Sequence, residues 1–373
     1  MVLGLGFGPA LHVSYHSLRG PIVSERLTLS IDAMGGDNAP EMTIEAVDLA
    51  ARKYPFVDFL LFGDEAKITP ALNRFAQAKL VSQIRHTEDI VPNDQKPAIA
   101  LRQGRASSMR LAINAVHDGE ASGIVSAGNT GALMAMAKFV LKMLPGIDRP
   151  AIATYIPTEK NNVVMLDLGA NIVCTAQNLV QFAVMGEVFA RQFFGTDKPS
   201  IGILNVGEEE TKGNESVRDA AAILQNADLP IHFYGFVEGN DIAKGTVDVI
   251  VTDGFTGNVA LKVMEGTARL IAGGMKSALK GSLLGWIGAL IAYPALRKFR
   301  KRFDPRLYNG AMFLGLNGIC VKSHGGTDPV GFANAIGVAI ELVQDGVIEG
   351  IKEDYSHINL EAAASGADAA NKS

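Results

Sequence analysis

The chain has little cysteine, little tryptophan and no long apolar run. Two of its 373 residues are cysteine, Cys174 and Cys320, and one is tryptophan. The cysteines lie far apart and form no C-x-x-C pair, which excludes a disulfide framework and argues against a zinc site. That usage suits a reducing cytoplasm. No stretch reaches the roughly 18 apolar residues that a bilayer-spanning helix requires. The formal net charge of −5 leaves no global basic footprint, so nucleic acid is not an expected partner. There is no G-x-G-x-x-G after a strand, no G-x-x-x-x-G-K-[ST], no G-x-S-x-G and no H-E-x-x-H. No nucleotide fingerprint, serine nucleophile elbow or zinc-peptidase site is therefore declared. Neither a cofactor nor a metal is expected.

What the chain does have is 48% hydrophobic residues, 20% charged residues and 40 glycines. Residues 1–26 carry Gly4, Gly6, Gly8, Pro9 and Pro21 and read as a loose extension. Their apolar start has no preceding basic residue and no clear cleavage site, so a signal peptide is not expected. One catalytic domain is expected over 27–355, followed by a tail at 356–373 rich in Ala, Gly, Ser and Asn and expected to be disordered.

Strands and helices alternate along that span. Leu27–Ile31 reads as the first strand and Phe59–Phe62 as the next, with a helix between them that starts at about Pro40 and stops before Pro55. A helix is expected over Ile68–Ala78, a short strand near Gln83–His86, and a helical region from Pro97 to His117 with a break at Gly104. Val163–Leu166, Ser200–Leu204, Ile231–Tyr234 and Val247–Thr252 are further strands, and helices run to about Phe194 and Ala227. Tyr308–Val321 reads as one or two short strands, and Asp328 caps a helix with Pro329 at its first position. Such alternation predicts an α/β fold with a mostly parallel sheet covered by helices on both faces.

One stretch organises the reading. Ser122–Leu133 passes from a buried strand through Ala127-Gly128-Asn129-Thr130-Gly131 into an apolar helix. Strand, glycine turn and helix start together make a site for anions, although a capped turn has the same look. Val249–Lys262 echoes it, with Gly254-Phe-Thr-Gly257-Asn258 between strand and helix. Polar, glycine-bearing loops follow strand after strand, and ligands in open α/β sheets bind at the carboxyl edge. Asp32, Asp37, Ser126, Asn129, Asp167, Asn171, Asn205, Lys212, Asn214, Asp253 and Asn258 are accordingly expected to converge there, some of them only capping helices. Lys212, Lys262 and Lys322 lie in or just after three of these loops, which favours phosphate or a phosphate-bearing group. His324, in a glycine-rich loop, is a candidate site residue rather than a core histidine.

One segment departs from the pattern. Leu283–Leu296 is apolar, and Arg297, Lys298, Arg300, Lys301 and Arg302 follow it. Apolar residues with Trp286 and Tyr293 beside cations suit the surface of an anionic membrane. A helical hairpin buried in a dimer interface is the alternative, and the cations would equally receive an acidic carrier protein. Trp286, Ile287, Leu290 and Ile291 are the candidate membrane-facing residues within 283–303.

Asp32-Ala-Met-Gly-Gly-Asp37, Ser126–Ala132, Asp167-Leu-Gly-Ala-Asn171, Asp253–Asn258 and Lys322-Ser-His-Gly325 closely resemble the signatures of the bacterial phosphate acyltransferases of phospholipid synthesis. The resemblance runs from about Leu27 to Lys352 in order and spacing. It implies transfer of a fatty acyl group from acyl-(acyl-carrier protein) to inorganic phosphate. The product would be acyl phosphate, passed to an acyl-phosphate-using glycerol-3-phosphate acyltransferase for phosphatidic acid synthesis. It further implies a fold similar to the isocitrate dehydrogenase and phosphotransacetylase group, a homodimer and peripheral membrane association. The chemistry suits the absent serine elbow, because phosphate attacks a thioester directly. Expected phosphate ligands are Lys212, Lys262 and the Gly128–Gly131 amides, with Asn129, Thr130 and Asn258 as oxyanion or phosphate donors. Lys322 or His324 would assist proton transfer or the leaving thiol. Asp32, Asp37, Asp167 and Asp253 would orient lysines or cap helices, and Asn171, in the Asp167 loop, and Asn214, in the Lys212 loop, are further expected substrate- or phosphate-binding residues. A dehydrogenase of the isocitrate type, on fold kinship alone, and a non-catalytic lipid-associated scaffold are the alternatives.

Overall fold

The computed structural model describes residues 26–226, 229 and 231–357. The expected N-terminal extension, apart from Arg26, and the tail beyond His357 lie outside the described residues. The strands are β1 Leu27–Asp32, β2 Val57–Gly63, β3 Ser82–His86, β4 Gly123–Ser126, β5 Ala151–Pro157, β6 Asn162–Leu166, β7 Ser200–Leu204, β8 His232–Val237, β9 Val249–Val251, β10 Ala311–Leu314 and β11 Ile319–Lys322. The helices α1 to α9 are Glu41–Lys53, Glu65–Leu72, Ala76–Val81, Pro97–Gln103, Ser108–His117, Thr130–Leu141, Ala176–Phe194, Glu215–Asn226 and Gly239–Lys244. Then come α10 Gly254–Lys280, α11 Leu283–Ile291, α12 Tyr293–Arg302, α13 Pro329–Gln344 and α14 Val347–His357.

All eleven strands join in one sheet, ordered β3-β2-β1-β4-β11-β10-β5-β6-β9-β7-β8. The inner strands carry little but apolar side chains because both faces are covered. In β4 the alternation of a pleated strand splits neighbours between two cores. Ile124 faces the helices α5 and α6, while Val125 faces the core that holds α1, α7 and α13. The expected break at Gly104 separates α4 from α5. The single helix expected over Ile68–Ala78 is instead two, α2 and α3, with a turn at Asn73–Phe75 between them.

Most pairings are parallel, but β10 is antiparallel to both β11 and β5, and β5 is antiparallel to β6. The β5–β6 connection is a hairpin closed by the Thr158 amide donating to the Asn161 carbonyl at 2.8 Å. These reversals divide the sheet by direction. Strands β1 to β5 and β11 run one way, and β6 to β10 run the other. The carboxyl ends of the two groups therefore lie on opposite edges of the sheet.

Candidate active site

The first edge gathers the ends of β1, β4 and β11. Asp32, the last residue of β1, is fully buried. The Ser108 hydroxyl donates to its Oδ1 at 2.6 Å and the Ser126 hydroxyl to its Oδ2 at 2.7 Å. Burial raises the Asp32 carboxyl above the usual carboxylate range, and the two hydroxyls, the Met34 amide and the nearby Lys322 charge pull it back. The chain passes closely over it. A Cβ on Gly35 would stand 2.6 Å from Asp32 Oδ2 and 2.7 Å from the Gly128 nitrogen, so only glycine fits.

The Gly128 amide donates to Ser126 Oγ at 3.0 Å, which commits it to the turn rather than to a ligand. Asn129 caps α6 by accepting from the Ala132 amide at 3.0 Å. Its Nδ2 donates to the carbonyls of Pro92, Asn93 and Gln95, the shortest at 2.8 Å. The Asn129 side chain thereby ties the 92–95 loop to the helix start. Thr130 and Gly131, in the first turn of α6, keep the orphan amides that a helix N-terminus presents to an anion. Asp37 sits at the rim. Its amide donates to the Gly325 carbonyl at 3.0 Å, and its carboxylate accepts from Asn93 Nδ2 at 3.1 Å.

Lys322 ends β11 and pairs in register with Ser126. Its ammonium donates to the Ala127 carbonyl at 3.3 Å and to the Ser323 carbonyl. Burial lowers its pKa to about 8, against the opposing pull of Asp32, Cys320 and Asp37. His324 is exposed, and its Nδ1 accepts from the Gly326 amide at 3.1 Å. That contact leaves the proton of the neutral ring on Nε2. Asn309 holds the loop in place. It accepts from the His324 amide at 3.0 Å and donates to Ser323 Oγ at 2.8 Å and to the Gly331 carbonyl at 2.8 Å.

The second edge gathers the ends of β6, β9 and β7. Asp167 is fully buried. Its Oδ1 accepts from the amides of Ile152, Gly169 and Ala170 at 3.0, 3.1 and 3.0 Å. Its Oδ2 accepts from the Asn171 amide at 2.7 Å and from Asn171 Nδ2 at 2.9 Å. Asn171 Nδ2 also donates to the Pro150 carbonyl at 2.8 Å. Asp253 caps α10, accepting from the Thr256 amide at 2.9 Å and the Thr256 hydroxyl at 2.7 Å. The helix start presses against the Asp167 loop so tightly that a Cβ on Gly257 would stand 2.0 Å from the Asp167 carbonyl oxygen. Asn258 lies beside Gly169. Lys262, one turn further, pairs with Glu265 at 3.3 Å. Asn205 donates to the Lys212 carbonyl at 3.2 Å, and Asn214 caps α8 by accepting from the Val217 amide at 3.0 Å.

The expected single crevice thus resolves into two clusters. Asp32, Asp37, Ser126, Gly128, Asn129, Thr130, Gly131, Lys322 and His324 come together at the first edge. Asp167, Asn171, Asn205, Lys212, Asn214, Asp253, Asn258 and Lys262 belong to the second. From β4 to β9 is five strand steps, or roughly 24 Å at about 4.8 Å each. One phosphate within one chain cannot touch both the α6 start and Lys212 or Lys262. Parallel alternation was the premise of the convergence, and the β5–β6 hairpin breaks it. The spacing of the motifs also passes over Ser108 and Asn309. Ser108 opens a helix, 76 residues from Asp32, and only tertiary packing joins them.

The Leu283–Phe303 region forms α11 and α12 after the long α10. None of α11 is buried: Trp286 is 58% exposed, Ile287 42%, Leu290 63% and Ile291 77%. Among the described residues no single helix is long and apolar enough to cross a membrane.

A family model described as "Fatty acid synthesis protein" matches residues 27–350. "Phosphate acyltransferase" of Rhodospirillum centenum is 60% identical over 344 residues, covering 92% of this chain and 97% of that protein. "Phosphate acyltransferase" of Paramagnetospirillum magneticum is 59% identical over 336 residues, covering 90% and 96%. Among solved structures, a phosphotransacetylase from Streptococcus pyogenes aligns with TM-score 0.57 at 17% identity, covering 86% of this chain and 94% of that one. A branched-chain phosphotransacylase from Enterococcus faecalis aligns with TM-score 0.54 at 15% identity, covering 85% and 99%. At those identities the structures speak for the fold alone, and it is the fold expected from the motifs.

Proposed function

We infer the reaction from one premise: the chain belongs to the fatty acid synthesis protein family, and it is an acyltransferase. The acyl donor is an acyl-(acyl-carrier protein) thioester and the acceptor is inorganic phosphate. The products are acyl phosphate and the free carrier thiol. An acyl-phosphate-using glycerol-3-phosphate acyltransferase consumes the product on the way to phosphatidic acid.

The observation that carries this reading is the meeting of Lys322 with the start of α6. The Lys322 ammonium lies on the Ala127 carbonyl, directly before the turn that opens onto the Thr130 and Gly131 amides. A helix N-terminus with a neighbouring cation is a site for phosphate. Phosphate held there is already a nucleophile at neutral pH. Its oxygen forms a bond to the thioester carbonyl carbon, the carbon–sulfur bond breaks, and the thiolate takes a proton. The Thr130 and Gly131 amides, the Thr130 hydroxyl and Lys322 bind phosphate. His324 Nε2–H serves the developing oxyanion or the departing sulfur. Asn129 supports the site by clasping the 92–95 loop. Asn258, Lys212 and Lys262 stand outside it within the same chain.

The test is direct. The protein is incubated with acyl-(acyl-carrier protein), with and without inorganic phosphate, and acyl phosphate is trapped with hydroxylamine. Acyl hydroxamate above the slow background from direct attack of hydroxylamine on the thioester is expected only with phosphate. Equal thiol release in both samples would make the protein a thioesterase and end this reading.

Membrane association and a homodimer complete the proposal. The product's alkyl chain costs about 0.8 kcal/mol per CH₂ exposed to water, which favours release into a bilayer. The exposed Trp286, Ile287, Leu290 and Ile291 support docking there, with Arg297 and Lys298 of α12 against anionic head groups. Sedimentation with anionic vesicles is expected to weaken with salt and to drop sharply in a Leu290→Glu, Ile291→Glu variant that keeps its turnover. A variant that lost its dimer but kept vesicle binding would assign α11 to a subunit interface instead.

A further inference from the structure

Asp32, Ser126 and Lys322 form a row across three adjacent strands. Register pairs Ile31 with Val125, and Ser126 with Lys322, so the row is one residue deep and its members share a face. The Gly35 backbone lies directly over the Asp32 carboxylate. Little room is left there for water, so the protein itself must supply the donors a buried carboxylate needs. It does so with the Ser108 and Ser126 hydroxyls at 2.6 and 2.7 Å. Those lengths suit charge-assisted O–H···O⁻ bonds. Ser108 is also the first residue of α5, whose N-terminal end favours negative charge. Its amide donates to the Asp89 carbonyl at 2.9 Å, so the hydroxyl is held by a fixed backbone. Ser126 has a second duty, since its oxygen accepts from Gly128 and shapes the turn before α6.

We propose that Asp32 is a positioning residue, kept ionised by Ser108 and Ser126, whose negative charge holds the Lys322 ammonium in the phosphate site. Ser108, which lies in none of the motifs, is a second positioning residue acting through Asp32. The inference rests on the reading of Lys322 as the phosphate cation, but its physical core is the coupling of Asp32 to Lys322. The groups facing Lys322 are Asp32 at the end of β1, Asp37 in the loop that follows it and the Cys320 thiol on its own strand, with His324 two residues on. Burial works against its charge, and Asp32 is the first of the groups that oppose burial. Without the Asp32 charge, Lys322 loses its proton at lower pH, and the site loses its cation.

The experiment follows Lys322 directly. The protein is labelled with ¹³C at lysine Cε, the Lys322 resonance is assigned by its loss in Lys322→Arg, and its titration is compared among variants. Asp32→Asn is expected to lower the midpoint by about one pH unit or more. Ser108→Ala is expected to lower it by less, and Ser108→Thr to restore it. The alkaline limb of the kcat/KM profile should move to lower pH in the same order, with a loss in Asp32→Asn of about fivefold at pH 8 that approaches tenfold above pH 9, as a one-unit shift from about 8 implies. An unchanged Lys322 midpoint in Asp32→Asn and Ser108→Ala overturns the proposal. If Asp32→Asn does not fold, Ser108→Ala with its threonine rescue decides alone. If wild-type protein transfers no acyl group to phosphate while the midpoints still move, the functional reading fails and the coupling stands.

Discussion

Asp32 ends β1 at one edge of the sheet, and Asp167 follows β6 at the other. Each opens a glycine-bearing loop, each is fully buried, and burial raises the pKa of both. Their partners differ in kind. Asp32 is met by two hydroxyls and lies near a lysine. Asp167 is met by four backbone amides and the Asn171 amide group, all within or beside its own loop. Backbone amides cannot turn away, so Asp167 fixes a loop shape. Hydroxyls can rotate, and a nearby ammonium can gain or lose a proton, so the Asp32 cluster carries groups that chemistry can use. The same motif pattern thus yields a carboxylate fixed by backbone amides at one edge and a carboxylate beside titratable and rotatable groups at the other.

The comparison can be broken in several places. Lys322→Met should remove the only lysine of the first cluster and lower kcat/KM by about 10²–10³-fold, with the melting temperature little changed. A loss confined to stability would demote the first edge to scaffold. Asp167→Asn should do the reverse. It turns an NH₂ group toward donors that need an acceptor, at about 1–3 kcal/mol, and should lower Tm by roughly 2–5 °C. Calorimetry that finds Tm unchanged while kcat collapses would move the chemistry to the second edge. His324→Gln should reduce kcat by about 10- to 100-fold in a folded protein, as expected for a lost proton donor. Full turnover would leave His324 a loop residue. The smallest effect is expected from Lys212→Met and Lys262→Met, with the KM for phosphate changing by less than about twofold, because neither lysine reaches the α6 start within one chain. A rise of about 10²-fold would bring the second edge into the site, which only a second subunit could achieve.

Much of the fold is legible in the residues. Ser200–Leu204 is a strand as read, Pro97 opens a helix that breaks at Gly104, and Asp328 with Pro329 starts α13. These features depend on local rules of capping, proline placement and β-rich runs. β5 is the counterexample. Ala151–Pro157 lies beside the Pro145–Pro150 stretch, and its small alanines weaken the strand signal. Missing it hides the hairpin that reverses the direction of half the sheet. The motifs of the site are equally legible, but which of them meet is decided by strand order and direction, which no local pattern records. Ser108 shows the same limit. Its role depends on a contact 76 residues away, and a serine at a helix start reads as a cap.

The order of the sheet also sets a timetable. β10 and β11, at residues 311–322, lie between β4 and β5, which were made more than 150 residues earlier. As the chain leaves the ribosome, β4 and β5 each wait with an open edge until the last pair of strands arrives. Such long-range pairing is slow and exposes strand edges to wrong partners. A chain cut short before Ile319 would carry Asp32, Ser126 and the α6 start but not the strand that seals β4, and would be a substrate for chaperones and proteases rather than a weakened enzyme.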